Sequence, residues 1–183
     1  MPNSCRVEGV IYGDQKLLVQ LEQAFRDGNP FQTFLPIDEA ALGGDSNAIV
    51  DARYNLWGTK WDLEDSVDHA EVKDDCLVVA FITAWEPPVG FFRKLTELGL
   101  EIYFTFGAQD EFFGVYENGL LIDSRHENLS EEDRITVQGA KESIMTYFES
   151  DEDGEYLDED EDDDDEEDDD DDDDLDEQDD DDE

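Results

Sequence analysis

The last 33 residues of the chain, 151–183, carry 28 carboxylates and not one Lys or Arg, and no other feature restricts the fold as strongly. Gly154, Tyr156, Leu157 and Leu175 are almost the only interruptions, so the segment has no apolar surface to bury and repels itself. The composition predicts a disordered Asp/Glu-rich tail over 151–183, and any hydrophobic core has to come from residues 1–150. Stretched at about 3.3 Å per residue, the tail reaches about 110 Å and presents one charge about every 4 Å. A single DNA strand carries one per about 3.4 Å.

Over the whole 183 residues, 56 Asp and Glu face 11 Lys and Arg, a formal charge of −45. Binding to a phosphate backbone needs a surplus of cations, so this balance excludes direct nucleic-acid binding and disfavours an anionic membrane surface. With 28 acids and all 11 bases, residues 1–150 are themselves at −17. They are rich in Phe, Trp, Leu, Val and Ile, enough for one core of ordinary domain size. No 18-residue apolar run is present, and Met1-Pro2-Asn3-Ser4-Cys5-Arg6 lacks the pattern of a secretory signal, so a cytoplasmic protein is expected. In that compartment Cys5 and Cys76 are not expected to form a disulfide.

Along residues 1–150, hydrophobic periodicity and turn chemistry mark the elements. Arg6–Tyr12 reads as a strand, and Asp14 as the N-cap of a helix over Gln15–Arg26 whose Leu17, Leu18, Leu21, Ala24 and Phe25 form one stripe. Residues 30–66 read as a long irregular connection with a short helix near Glu39, a length that hints at a functional loop. Val67–Val72 and Leu77–Trp85 read as a hairpin turning at Asp74-Asp75. A helix then starts at Pro87-Pro88, buries Phe91, Phe92, Leu95 and Leu98, and ends at Gly99. Strands follow at Glu101–Phe106, Phe112–Tyr116 and Leu120–Asp123, the last two joined by Asn118-Gly119, which suits a two-residue hairpin turn. A final helix runs from Ser130 to about Phe148 with Val137, Ala140, Ile144 and Phe148 on one face. Within this series lies β-α-β-β-α-β, so the expected class is α+β, a ferredoxin-like antiparallel sheet with its helices packed on one face.

Three segments carry a family resemblance: Asn55-Leu56-Trp57-Gly58-Thr59-Lys60-Trp61-Asp62, Phe81-Ile82-Thr83-Ala84-Trp85-Glu86-Pro87-Pro88, and Phe112-Phe113-Gly114-Val115-Tyr116. Over roughly residues 1–125 the chain resembles the YubB-like ferredoxin-like domain family of plasmid and phage proteins. That resemblance implies a fold and a mobile-element origin, with residence in the host cytosol, and no reaction. The acidic tail is a departure from the family pattern.

Trp57, Lys60, Trp61 and Asp62 allow two arrangements. In one, indoles frame a ligand and the Lys–Asp pair fixes it; in the other, which is preferred, Trp57, Trp61 and Trp85 pack the loop onto the sheet and Lys60 is a neutralised exposed charge. His69 and His126 lie beside no nucleophile motif and are expected at the surface, and with Cys5 and Cys76 they lack zinc-ligand spacing. No glycine-rich phosphate loop occurs, and no enzymatic activity is expected. Glu149, Asp151, Asp153, Gly154, Glu155 and Asp160 fit a calcium-loop template, but any acidic run matches one by chance, and Asp160 replaces the bidentate Glu. No cofactor is expected beyond loose attraction of Ca2+ or Mg2+ to the tail.

The leading functional expectation is a DNA-mimic inhibitor, a nonenzymatic protein whose acidic surface occupies the basic nucleic-acid site of a host defence or DNA-binding protein. Partner contacts are expected at Trp57, Lys60, Trp61 and Asp62 and at Asp151, Asp153, Glu155, Asp158 and Asp160. Two alternatives stay open. One is a ferredoxin-like ligand- or protein-recognition module with the tail as a solubility device, the other an acidic chaperone for basic proteins; homo-oligomers are compatible with all three.

Overall fold

The computed structural model describes residues 4–64, 66–108 and 111–152. The elements are β1 (Ser4–Tyr12), α1 (Gln15–Arg26), α2 (Pro30–Phe34), α3 (Ser46–Trp57), β2 (Val67–Lys73), β3 (Cys76–Ala84), α4 (Val89–Glu97), β4 (Glu101–Ala108), β5 (Phe112–Glu117), β6 (Leu120–Asp123) and α5 (Glu131–Glu152). The strands form a single six-stranded sheet in the order β2-β3-β1-β4-β5-β6, with every neighbouring pair antiparallel. The fold is thus α+β. None of the helices among the described residues is long and apolar enough to cross a membrane.

Alternation along the strands sorts the core. Cys5, Val7 and Ile11 of β1 point to one face, and the register sets Phe81 and Phe106 beside Val7, and Leu77 and Ile102 beside Ile11. All of these side chains are buried. Helices α1 and α4 cover this face: Phe25 meets Phe81 with ring centroids 5.3 Å apart, and Phe92 stacks on Phe104 at 4.3 Å. Fully burying one such ring contributes about 1.5–3 kcal/mol. The stack depends on Gly9, which pairs with Phe104; a Cβ there would lie 2.2 Å from the Phe104 ring.

The other face departs from expectation, because the helices are not all on one side. On β5 every residue from Phe112 to Tyr116 is buried, so both faces of that strand need cover. The Phe112 ring packs against that of Phe106 on the α1/α4 face, centroids 6.3 Å apart, while the alternate residues Phe113 and Val115 turn the other way. Helix α5 lies over them, burying Ala140 and Ile144 and placing Lys141 Nζ 5.6 Å from the Phe113 ring centroid. Its start is a capping box: the Ser130 hydroxyl accepts from the Asp133 N–H at 3.1 Å and the Asp133 carboxylate accepts from the Ser130 N–H at 3.2 Å.

Two further expectations are corrected. The irregular connection over 30–66 contains two helices, and the region near Glu39 is a series of turns. Helix α3 shows little hydrophobic periodicity because Trp57 alone among its residues is buried; its cap signals are clear, with the Asp45 carboxylate accepting from the Asn47 and Ala48 N–H groups and Gly58 left-handed at its end. Leu98, expected in the buried face of α4, is 40% exposed because the helix ends at Glu97 and Gly99 (φ 81°) redirects the chain, so that Leu100 enters the core instead.

The placement of α5 has a direct test. Ile144→Ala is expected to destabilise the protein by about 2–5 kcal/mol in denaturant unfolding, as for a large-to-small change in a core. A change within error of zero means that α5 does not pack on the sheet.

Candidate functional site

The Asn55–Asp62 and Phe81–Pro88 segments are separated in sequence by β2 and the start of β3, yet their backbones touch. At the end of α3 the chain turns at Gly58 (φ 91°), where a Cβ would stand 2.9 Å from the Val89 nitrogen. At the second residue of α4, a Cβ on Gly90 would stand 1.9 Å from the Leu56 carbonyl oxygen. Only glycine at these positions lets α3 and α4 approach so closely. The buried Thr59 hydroxyl then donates to the Ala84 carbonyl at 3.0 Å. Next along the chain, the Thr83 hydroxyl donates to the Glu86 carbonyl at 2.8 Å, closing a turn in which Trp85 has φ 69°. A tryptophan held in the left-handed region is strained, by about 1–3 kcal/mol.

Beside this junction is an open cleft of about 350 Å³ lined by Tyr54, Asn55, Glu86, Arg93, Asp123 and Arg125 among others. Arg125 organises its wall. Its guanidinium lies 3.9 Å from the Phe112 ring centroid and donates from Nη1 to both oxygens of Glu86 at 2.8 and 2.9 Å. Its Nε donates to both oxygens of the buried Asp123 at 3.0 and 3.1 Å. These carboxylates, Asp123 first, hold the guanidinium above its already high ordinary pKa. Tyr54 is held above the usual phenol value by burial and then by the nearby Glu86 charge.

At one side of the cleft, Trp61 and Trp85 are 38% and 41% exposed. Between them lies the Lys60 ammonium, 4.7 Å from the Trp61 ring centroid and 4.8 Å from that of Trp85. The Tyr54 ring is 6.3 Å from Trp85. A cation over an exposed ring gains about 0.5–1 kcal/mol, so Lys60 is held lightly.

The structure separates the four residues expected in this segment. Lys60 and Trp61 come together at the surface, joined by Trp85. Trp57 is buried instead, its Nε1–H donating to the Leu35 carbonyl at 2.8 Å and its ring 5.8 Å from Phe31. Asp62 is a brace: its carboxylate accepts from the N–H groups of Phe31 (3.1 Å), Gln32 (2.7 Å) and Leu63 (3.1 Å), tying the start of α2 to the end of the loop. Burial raises its pKa against the opposing effect of those bonds.

Asp151 lies in helix α5, and Asp153, Glu155, Asp158 and Asp160 lie outside the described residues. Glu149 and Asp151, the first calcium-template positions, are in that helix as well, where a loop would be required. Among the described residues no group of three or more His, Cys, Asp and Glu is placed to hold a metal ion. His69 and His126 are exposed. Cys5 and Cys76 are both free; Cys5 opposes Thr83 while Cys76 opposes Tyr12 at the other end of the β1–β3 pair, and burial pushes the Cys5 thiol up. Tyr54, Glu86, Arg93, Asp123 and Arg125 were missed by sequence reading. Glu86 stood inside a segment already noted, whereas Arg93 on α4, Asp123 at the end of β6 and Arg125 just beyond it carry no local signal.

Arg125→Met leaves the buried Asp123 carboxylate without its guanidinium and is expected to cost about 2 kcal/mol in denaturant unfolding, with Asp123→Asn in the same chain recovering part of the loss. Equal stability of Arg125→Met and the unaltered protein contradicts this role. Compared with known proteins, the chain matches no family model, no curated protein and no solved structure.

Proposed function

We propose that this is a nonenzymatic DNA-mimic protein whose acidic body and carboxylate-rich C-terminal segment occupy the basic nucleic-acid site of a DNA-binding protein. The observation that carries the reading is the charge of −45 and its distribution, with −17 on residues 1–150 and 28 carboxylates among the last 33 residues. The internal ion pairs strengthen it. Arg6, Arg26, Arg53, Lys73 and Arg125 are each paired with carboxylates of the protein itself, so each cancels one acid in place and leaves no isolated cationic site of its own, and the excess of carboxylates that remains sets the outward field. A partner groove that neutralises phosphates can neutralise carboxylates at similar spacing, with the same release of counterions.

A ferredoxin-like body is part of this reading. The order β2-β3-β1-β4, antiparallel throughout, supports it, with α1 between β1 and β2 and α4 between β3 and β4. On this reading α2, α3, β5, β6 and α5 are additions to that core. The resemblance of the three Trp- and Phe-containing segments to YubB-like proteins supports a phage or plasmid origin, and hence a host defence protein as target in the host cytosol. The exposed Trp61 and Trp85 favour a second reading, in which the body is a recognition module and the acidic segment aids solubility.

Immobilised protein should retain DNA-binding proteins from a cell extract and release them to duplex DNA. Between 50 and 200 mM salt, affinity for such a partner is expected to fall about a thousandfold or more. A full-length variant with Asn and Gln in place of the acids of 154–183 should lose most of the retention. Retention indifferent to salt, to competing DNA and to that neutralisation would falsify the DNA-mimic reading.

A further inference from the structure

We propose that Trp61 and Trp85, the latter backed by Tyr54, form an aromatic cage for the side-chain ammonium of a lysine on a basic partner protein, and that Lys60 is a displaceable internal occupant of that cage. The inference rests on the proposed basic partner for the source of the lysine and on the cage geometry for the site.

The site already holds the chemistry it would recognise. Lys60 Nζ is 4.7 Å and 4.8 Å from two indole centroids, within the range over which a ring quadrupole attracts a cation. Among the described residues Lys60 forms no ion pair or hydrogen bond, and the two rings are what holds its head in place there. A core packing role does not explain the indoles, since Trp61 and Trp85 stay 38% and 41% exposed while Trp57, four residues before Trp61, is 1% exposed and makes the core contact. Trp85 is presented from a strained backbone at φ 69°, and that turn is fixed by the hydroxyls of Thr59 and Thr83. The platform is therefore built before a partner arrives, which lowers the ordering cost of binding.

A self-occupied cage has a definite signature. The incoming ammonium competes with Lys60, and its apparent affinity is reduced by the fraction of molecules whose cage is open. Removing the Lys60 side chain should therefore strengthen binding of a cation although it deletes a contact-forming residue. A surface lysine that merely shields two indoles predicts no such gain.

The probe is Nα-acetyl-lysine methylamide, titrated into the full-length protein while the indole N–H signals of Trp57, Trp61 and Trp85 are followed by NMR. Its Nε-acetylated twin, of the same length without the charge, is the control. The expected result is that the Trp61 and Trp85 signals move and Trp57 does not, that Lys60→Ala tightens binding about tenfold, and that the twin gives no response. Trp85→Leu in the Lys60→Ala chain should abolish the response; unchanged amide dispersion shows that it still folds.

Equal response to the charged and neutral probes overturns the proposal, as does unchanged or weaker binding by Lys60→Ala, or shifts confined to Trp57. Failure here with salt-dependent, DNA-competed retention intact removes the cage and leaves the DNA-mimic reading standing. A cage that binds while retention ignores salt and DNA removes the DNA-mimic reading alone.

Discussion

The backbone of α3 presses directly on that of α4, with Gly90 facing the Leu56 carbonyl and Gly58 facing the Val89 nitrogen. Everything at the candidate site follows from this contact. Helix α3 buries only Trp57 and has no apolar stripe that could hold it elsewhere. Once α3 is seated, Thr59 reaches the Ala84 carbonyl, Lys60 falls between Trp61 and Trp85, and Tyr54 and Asn55 become a wall of the cleft. The core beneath is a cluster of phenylalanines, Phe25, Phe31, Phe81, Phe91, Phe92 and Phe104, to which α1, α2, α4 and the sheet contribute. The site is thus the outer edge of the junction that closes the core on one face.

Charge acts at two ranges. The carboxylate-rich segment and the −17 body create a long-range field that raises the encounter rate with any cationic surface and weakens with salt. Such a field discriminates poorly, because one basic groove resembles another at a Debye length. Contacts at short range, with exposed aromatic side chains in fixed positions, supply the discrimination. The cluster around Trp61 and Trp85 is a part of the described surface with that character, and the Arg125 network anchors the cleft beside it.

Much of the frame was legible in the sequence because it rests on local signals. Asp14 caps α1 as its position suggested, Asn118 and Gly119 both take positive φ in the β5–β6 turn, and Gly99 ends α4. The two helices in 30–66 were not legible, since α2 is a single turn braced by Asp62 from 30 residues away and α3 lacks periodicity. The side on which α5 packs was also hidden; Phe112-Phe113-Gly114-Val115-Tyr116 announces a strand buried on both faces only once its partners are known. At the site, Trp57 and Trp61 look alike in sequence, and only the turn at Gly58 sends one inward and the other out.

Hydrogen exchange of the unaltered protein and Gly90→Ala, followed by mass spectrometry, tests whether the glycine contact builds the site. An added Cβ has no room beside the Leu56 carbonyl, so amides over 46–60 and 84–90 should lose protection while the β1, β3 and β4 amides keep theirs. Exchange in Gly90→Ala that matches the unaltered protein over 46–60 and 84–90 would contradict this dependence and leave α3 held by something other than its contact with α4.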